Sequence, residues 1–359
     1  MKRNIPAVGI EANPACVFSA RVKTTWTLNF DNLLECSERV VESYPRFLQS
    51  TSAYKRDPTY KYLNETGMVE RGWISPKPLK KSIAVRQAID ELPTTKPYKD
   101  ALMLALMAEV VNDASNIKFG PQLYCGPQKS DVDVLTGFAG RVATMVSDLK
   151  AVSRIPRSLA RILHGDARAC ARLINHSSPI RRFDAIISSP PYPSEHDYTR
   201  HTRLELAFLQ TINGADGIRA IKQQMIRSHT KGIYKEDRDG ELFRKHPLIG
   251  PIVREIEKKA EPKSHGFARL YGRVVLEYFA GMRQHLRSTY RILRSGGQCA
   301  YVLGDQASFL QVLIPTAEIL ATLARCEGYS VGSITKWRGR WSTATSRMVD
   351  ENILFLRRE

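Results

Sequence analysis

The sequence predicts an α/β protein: a doubly wound sheet with helices on both faces, an antiparallel final strand and a largely helical insertion. Three observations predict it. Past Ser158, strand-like and helix-like stretches alternate; near the N-terminus a short apolar run passes straight into a helical pattern; and the chain closes on two consecutive strand-like runs.

Taken in order, "IPAVGIEANPACVFSARVKTTW" opens with a strand over Pro6 to Ile10 and passes through Glu11-Ala12-Asn13-Pro14 into a helix. From about Thr27 to Leu149 the patterning is mostly helical. "PYKDALMLALMAEVVNDASNIKF" has apolar residues at helical spacing and an Asn/Ser-rich stop, and "DVLTGFAGRVATMVSDLKAV" repeats the pattern. The stretch 50–98, rich in Pro, Lys, Thr and Tyr, reads as irregular connection. "LARILHGDARACARLI" is then strand, turn and helix, and "FDAIISSPPY" is strand and turn. A basic segment follows, then a long helix near 268–293, a "RSGG" stop, the strand "QCAYVLGD" and the helix "FLQVLIPTAEILATLARCEG". "YSVGSITKWRGR" and "ENILFLRR" read as a closing antiparallel pair.

The bulk figures narrow the classes. A chain of 359 residues with 43% apolar and 25% charged residues has the composition of a globular protein, and no run approaches the length of a membrane span. No signal-peptide pattern is visible at the N-terminus, so a cytoplasmic location is expected. The cysteines at 16, 36, 125, 170, 299 and 326 form no C-x-x-C pair and read as thiols, not as disulfides or metal ligands. The net charge of +18 favours a polyanionic partner, nucleic acid first. Between Thr199 and Ser295 there are 20 Lys/Arg against 10 Asp/Glu, so more than half of the excess lies in one central segment.

In doubly wound sheets, ligands bind beyond the carboxyl ends of the strands. Three such ends here carry polar groups. Glu11 closes "AVGIE"; it is placed either to accept from a ribose diol or to sit at a helix N-terminus as an ordinary surface carboxylate. Asp166 in "RILHGDARA" is placed either to accept from an adenine amino group or to cap the next helix. The third end is Ser189-Pro190-Pro191-Tyr192. Two prolines stop ladder pairing abruptly, and they leave a stiff turn whose carbonyls must find donors outside the sheet. At the end of an apolar strand, such a turn reads as a site for a substrate.

These residues resemble a family. "SSPPY" is similar to the catalytic motif of S-adenosylmethionine-dependent methyltransferases that modify exocyclic amino groups of DNA bases. "VGIEANP" resembles their ribose-binding strand end and "HGDA" their adenine-contacting one; "RLELAFL", "MIRSHTKGIYK" and "ILRSGGQCAYVLGD" extend the likeness across most of the chain. The resemblance implies catalytic roles for Ser189, Pro190, Pro191 and Tyr192, cofactor contacts from Glu11, Asn13, Asp166 and Ala167, and double-stranded DNA as partner. Asp197 and Tyr198 would line the same mouth. It also implies a Rossmann-like sheet whose pieces are 1–26 (second strand and helix), 158–198 (core with the motif) and 268–359 (the C-terminal core). The remainder is a helical insertion at 27–157 and a basic recognition segment at 199–267.

The motif suits the chemistry. An exocyclic amine is a poor nucleophile because its lone pair is delocalised into the ring. A Ser189 hydroxyl and the Pro190 carbonyl could accept its N–H groups, while Tyr192 stacks on a base swung out of the duplex. A Ser at the first position resembles the cytosine-N4 members more than the adenine-N6 ones. Methylation at cytosine C5 would need a thiolate, and the nearest cysteine, Cys170, lies in a predicted helix. The competing readings are an adenine-N6 enzyme, an RNA guanine-N2 methyltransferase, and an inactive truncated DNA-binding remnant.

One part of the family pattern is absent. The glycine-rich loop that holds the methionine end of the cofactor belongs roughly 20 residues before the ribose carboxylate. Only ten residues precede Glu11, and neither Gly137-Phe138-Ala139-Gly140 nor Gly296-Gly297 has the required strand–loop–helix setting. The first strand and loop are therefore expected to come from an upstream segment or a second polypeptide.

Overall fold

A strand that starts and stops within five residues, AVGIE, needs a partner to satisfy its backbone, and the computed structural model shows which one it takes. The structure describes residues 3–120, 122–155, 158–212, 214–262, 266–342 and 345–359. β1 (Ala7–Glu11) pairs in parallel with a later strand, and Asn13 and Pro14 then start α1 (Pro14–Thr24). Pro at the first helical position loses no hydrogen bond there, and the Asn13 side chain accepts from the Ala15 amide at 3.1 Å.

The stretch 50–98 corrects the expectation of irregular chain. After α2 (Phe30–Gln49) come α3 (Thr51–Arg56), α4 (Pro58–Glu65) and α5 (Pro76–Glu91). Its prolines are helix starters: Pro58 and Pro76 sit in first turns, and the Ser50 and Asp57 side chains cap α3 and α4. Asp57 is buried and pairs with buried Arg86 of α5. α6 (Lys96–Glu109) ends in a π turn and gives way at Ser115 and Asn116 to an unexpected small hairpin of β2 (Ile117–Phe119) and β3 (Leu123–Cys125).

α7 (Val134–Val152) contains the paired glycines 137 and 140. A Cβ on Gly137 would lie 2.4 Å from the carboxyl of buried Glu109, so this glycine serves close helix packing. Glu109 is in turn ion-paired to Arg141 at 2.9 Å. β4 (Ala160–His164) closes the parallel pair, with Ala7 opposite Ala160 and Glu11 opposite His164.

The chain divides into two compact units. The first runs to His164 and includes Tyr198–Ala220; the second comprises Gly165–Asp197 and Ile221–Glu359. The second unit begins with α8 (Cys170–Ser177) and β5 (Phe183–Ser188). α9 (Tyr198–His201) and α10 (Arg203–Phe208) belong to the first unit, and α11 (Gly214–Gln223) leads out of it. α12 (Ile249–Ala260), α13 (Tyr271–Ile292), β6 (Leu293–Gly304), α14 (Thr316–Cys326), β7 (Tyr329–Ser342) and β8 (Arg347–Arg358) complete the second unit.

The sheet of the second unit has the order β5-β6-β8-β7. β5 and β6 are parallel, while β8 runs antiparallel to both β6 and β7, so the expected closing antiparallel pair is present. The "RSGG" stretch is no stop: it lies inside β6, where Gly296 takes φ +76° at an irregularity opposite Phe183 and Ala185. α13 buries Val275, Tyr278, Phe279 and Met282 in one core with Tyr301 and Leu303 of β6, Leu320 of α14 and Leu354 of β8.

The class is mixed α/β, as expected, while the Rossmann-like arrangement of one doubly wound sheet is not confirmed among the described residues. Parallel pairing among the described residues is confined to β1 with β4 and β5 with β6, and the strands fall into three separate sheets. A parallel strand in such a sheet normally has neighbours on both edges, whereas β1 and β5 each have a single ladder partner. Among the described residues no helix is long and apolar enough to cross a membrane.

Candidate active site

β5 is an apolar strand whose ladder with β6 ends at Ser188 opposite Tyr301. Ser189 follows and is exposed, with no hydrogen bond from its hydroxyl among the described residues; Pro190 is buried, and Pro191 and Tyr192 are half-buried. The prolines supply stiffness, but the turn is held by partners far away in sequence.

The Tyr192 hydroxyl donates to Glu351 Oε1 at 2.6 Å. Glu351 is buried at the level where β6 ends, opposite Gly304, and it also receives Arg338 of β7. Burial pushes the Glu351 carboxyl up, but the hydrogen bonds from Arg338 and Tyr192 more than offset it, so the group stays below its ordinary range and ionised. The Tyr192 ring lies against the backbone of Gly304, where a Cβ would come within 2.8 Å of it. Arg340 sits 5.9 Å from the ring centroid. The ring is thus fixed at its hydroxyl and along one edge.

The rest of the loop is clamped by residues 222–230. The Ser194 amide donates to the Ser228 carbonyl at 2.9 Å. Glu195 accepts from the Thr230 amide at 3.1 Å and from its hydroxyl at 2.8 Å. Lys222, buried, donates to Asp197 Oδ2 at 2.6 Å, and His229 Nε2 lies 3.6 Å from Asp197 Oδ1. Burial, with Lys222 close by, lowers the His229 imidazole to about 4 despite the pull of Asp197, so it is neutral at ordinary pH. Asp305, just past β6, accepts from the Thr316 amide at 3.0 Å, and burial together with Asp350 raises its carboxyl to about 6.

Of the predicted cofactor residues, Asp166 and Ala167 share the second unit with the motif, while Glu11 and Asn13 belong to the first. Tyr198 starts α9 in the first unit; Asp197 is the last residue of its segment of the second. Asn13 is buried and occupied: its amide donates to Glu11 Oε1 at 2.7 Å, and its side chain caps α1 and donates to Thr202 Oγ1 at 2.8 Å. Glu11 keeps its second carboxylate oxygen for another donor, which suits a sugar hydroxyl. Asp166 caps the turn at Arg168, accepting from its amide at 2.8 Å, and Arg168 Nε reaches both carboxylate oxygens at 3.0 and 2.9 Å. A purine amino group would have to share that carboxylate with Arg168. The Ala167 carbonyl faces His285 Nδ1 at 3.0 Å. A carbonyl only accepts, so Nδ1 carries the proton and Nε2 receives the Tyr301 hydroxyl at 3.1 Å. Burial keeps this imidazole uncharged.

Taken one at a time, the Glu11 and Asp166 carboxylates are acceptors of the kind that a ribose hydroxyl and the adenine amino group of S-adenosylmethionine need. The methionine end lacks a counterpart among the described residues, because Gly137 and Gly140 lie inside α7 and Gly296 and Gly297 inside β6. The first unit also holds a cavity of about 940 Å³, lined among others by Cys16, Ala20, Leu104, Met145 and Glu205. Burial raises the Glu205 carboxyl to about 7, and its Oε2 has no hydrogen-bond partner.

Sequence reasoning missed Glu351, Arg338, Arg340, Lys222 and Thr230. One faint signal existed: Asp350-Glu351 is an acidic pair directly before the apolar run "NILFLRR", an odd place for charge unless something binds it.

No family model matches the chain. Over 160 residues it is 28% identical to the protein named Type II methyltransferase M.AvaI from Nostoc sp. (strain PCC 7120 / SAG 25.82 / UTEX 2576), and equally to the protein of that name from Anabaena variabilis. The match covers 42% of this chain and 32% of each relative, so the chain spans about a third of the length of the curated relatives it matches.

Proposed function

We propose that this chain carries the catalytic portion of a DNA methyltransferase that acts on an exocyclic amino group, cytosine N4 in first place and adenine N6 in second. The observation that carries the reading is the Ser189–Tyr192 turn at the carboxyl end of a parallel strand, stiffened by Pro190 and Pro191 and pinned through Tyr192 to an ionised Glu351. The partial likeness to proteins named as Type II methyltransferases supports it.

S-adenosylmethionine, when bound, would supply the electrophilic methyl group; Glu11 would hold its ribose, and Asp166 with Ala167 its adenine. The exposed Ser189 hydroxyl and the Pro190 carbonyl would accept the two N–H groups of the target amine, orienting its nitrogen and drawing electron density toward it. Tyr192 would stack on the extruded base, and its fixed hydroxyl would limit ring rotation as the base enters. The surplus of basic residues suits a phosphate backbone.

The test is incubation of the chain with duplex DNA, and separately with RNA, in the presence of methyl-labelled S-adenosylmethionine, followed by mass spectrometry of the nucleosides. N4-methylcytosine is expected in DNA. N6-methyladenine alone would move the assignment to the second reading, and label in RNA only would replace it. The inactive-remnant reading predicts DNA binding without label, and it would be accepted if supplying an upstream polypeptide with a glycine-rich loop failed to restore transfer.

A further inference from the structure

The hairpin of β7 and β8 is longer than the sheet it closes. The ladder of β6 with β8 ends at Gly304 opposite Glu351, yet β7 and β8 continue pairing for four more rungs, from Gly339–Asp350 to Ser342–Arg347. β7 runs in the same direction as β5 and β6, so this overhang rises from the carboxyl edge that bears Ser189–Tyr192.

The overhang has a chemical anomaly. Trp341 and Met348 form a cross-strand pair and are 60% and 58% exposed. A Cβ on Gly339 would lie 2.6 Å from the Met348 terminal methyl, so that thioether lies over the glycine. At a register irregularity between Lys336 and Arg338, Trp337 is the extra residue and is 55% exposed. Arg338 stacks on its ring at 4.5 Å. Large apolar side chains displayed together on a solvated strand pair mark a contact surface.

The surrounding charge identifies the contact. Residues 334–351 carry Lys336, Arg338, Arg340 and Arg347 against Asp350 and Glu351; Lys336 pairs with Asp350 at 2.6 Å and Arg338 with Glu351, so the hairpin keeps a surplus of positive charge. Arg338 and Arg340 link the overhang back to the motif, one through Glu351 and the other beside the Tyr192 ring.

We infer that Trp337, Met348 and Trp341 form a DNA-contacting surface, which stacks on or wedges between bases next to the nucleotide that stacks on Tyr192. The inference rests on the function proposed above and adds where the opened duplex is held. Flat aromatic and thioether groups fit base faces, and apolar wedges commonly fill or open base steps. The surplus of positive charge on the hairpin, to which Arg340 and Arg347 contribute, fits a phosphate backbone. An extruded base leaves a gap in the stack, and exposed aromatic and thioether groups on the same edge of this sheet are able to occupy it.

Fluorescence anisotropy of the full chain with two labelled duplexes, one intact and one with an abasic site that leaves the stack already open, tests this. The parent is expected to bind the opened duplex more tightly. The Trp337→Ala/Trp341→Ala double variant should lose about tenfold or more on the opened duplex, with an unchanged salt slope because phosphate contacts persist. Trp337→Phe/Trp341→Phe should stay near the parent, since the stacking faces remain. Equal affinity of the alanine variant and the parent for the opened duplex would overturn the inference, as would a shift from dimer to monomer in sedimentation, which would make the surface a self-association face. A parent that binds neither duplex would instead remove the proposed function itself.

Discussion

Two strand ends, one in each unit, carry motif residues, and they are built on different principles. At the end of β1 the polar residues are used mostly within a few positions of themselves: Glu11 accepts from the Asn13 amide and Asn13 caps α1, with one long-range bond from Asn13 to Thr202. At the end of β5 the turn draws on distant segments. It is held by Lys222, Ser228, Thr230 and Glu351, contributed by segments from 25 to 159 positions away. The first end is a local solution that any short peptide could begin to form. The second exists only when the second unit has folded, and it leaves the Ser189 hydroxyl exposed, with no hydrogen bond among the described residues.

Breaking the long-range clamp should have the largest effect. Lys222→Met leaves the Asp197 carboxylate without its 2.6 Å partner in a mostly buried setting. A loss of about 3–5 kcal/mol is expected in urea unfolding. A loss under about 1 kcal/mol would show that the clamp is incidental.

Removing the ring that the clamp presents comes next. Tyr192→Ala should lower methyl transfer by about ten- to a hundredfold through lost base stacking, while affinity for non-specific DNA, dominated by phosphates, stays close to the parent. Parental transfer rates in this variant would show that Tyr192 does not touch the base.

The clamp should also respond to pH through His229. Its imidazole is held at about 4 in the folded chain against 6.5 ordinarily, so between those values the unfolded chain binds the extra proton. The contribution is fully present above pH 6.5 and falls away as the pH drops toward 4, by at most about 1.4 kcal/mol per pH unit. Asp305, raised to about 6, acts with the opposite sign, so the quantity to measure is the difference between parent and His229→Gln. Stability of the variant should depend less steeply on pH in that window. An identical slope would place His229 in contact with water.

The local end should be the most forgiving. Asn13→Ala removes one cap and should cost about 1 kcal/mol, and Asn13→Asp should recover most of it. A cost several times larger would mean that the bond to Thr202 matters more than the cap.

The same division explains what could be read from the residues alone. The AVGIE strand, the Pro190-Pro191 stop, the long α13 and the closing antiparallel pair were legible because periodicity, proline geometry and strand ends act over a few residues. The misreadings at 50–98 and at "RSGG" came from treating proline and glycine as breakers. In the fold Pro58 and Pro76 start helices, and Gly296 lets a strand continue through an irregularity with φ +76°.

The sequence by itself singled out the candidate site: two small hydroxyls, two prolines and a tyrosine after an apolar strand. Only the tertiary structure decided that Tyr192 is tied to Glu351, that Asp166 is already engaged by Arg168, and that an overhanging hairpin displays Trp337 and Trp341. The physical reason is range. Backbone preferences and capping are properties of neighbours in the chain, whereas the partner of a buried carboxylate or the exposure of an indole depends on which distant segments the core brings to the same edge of the sheet.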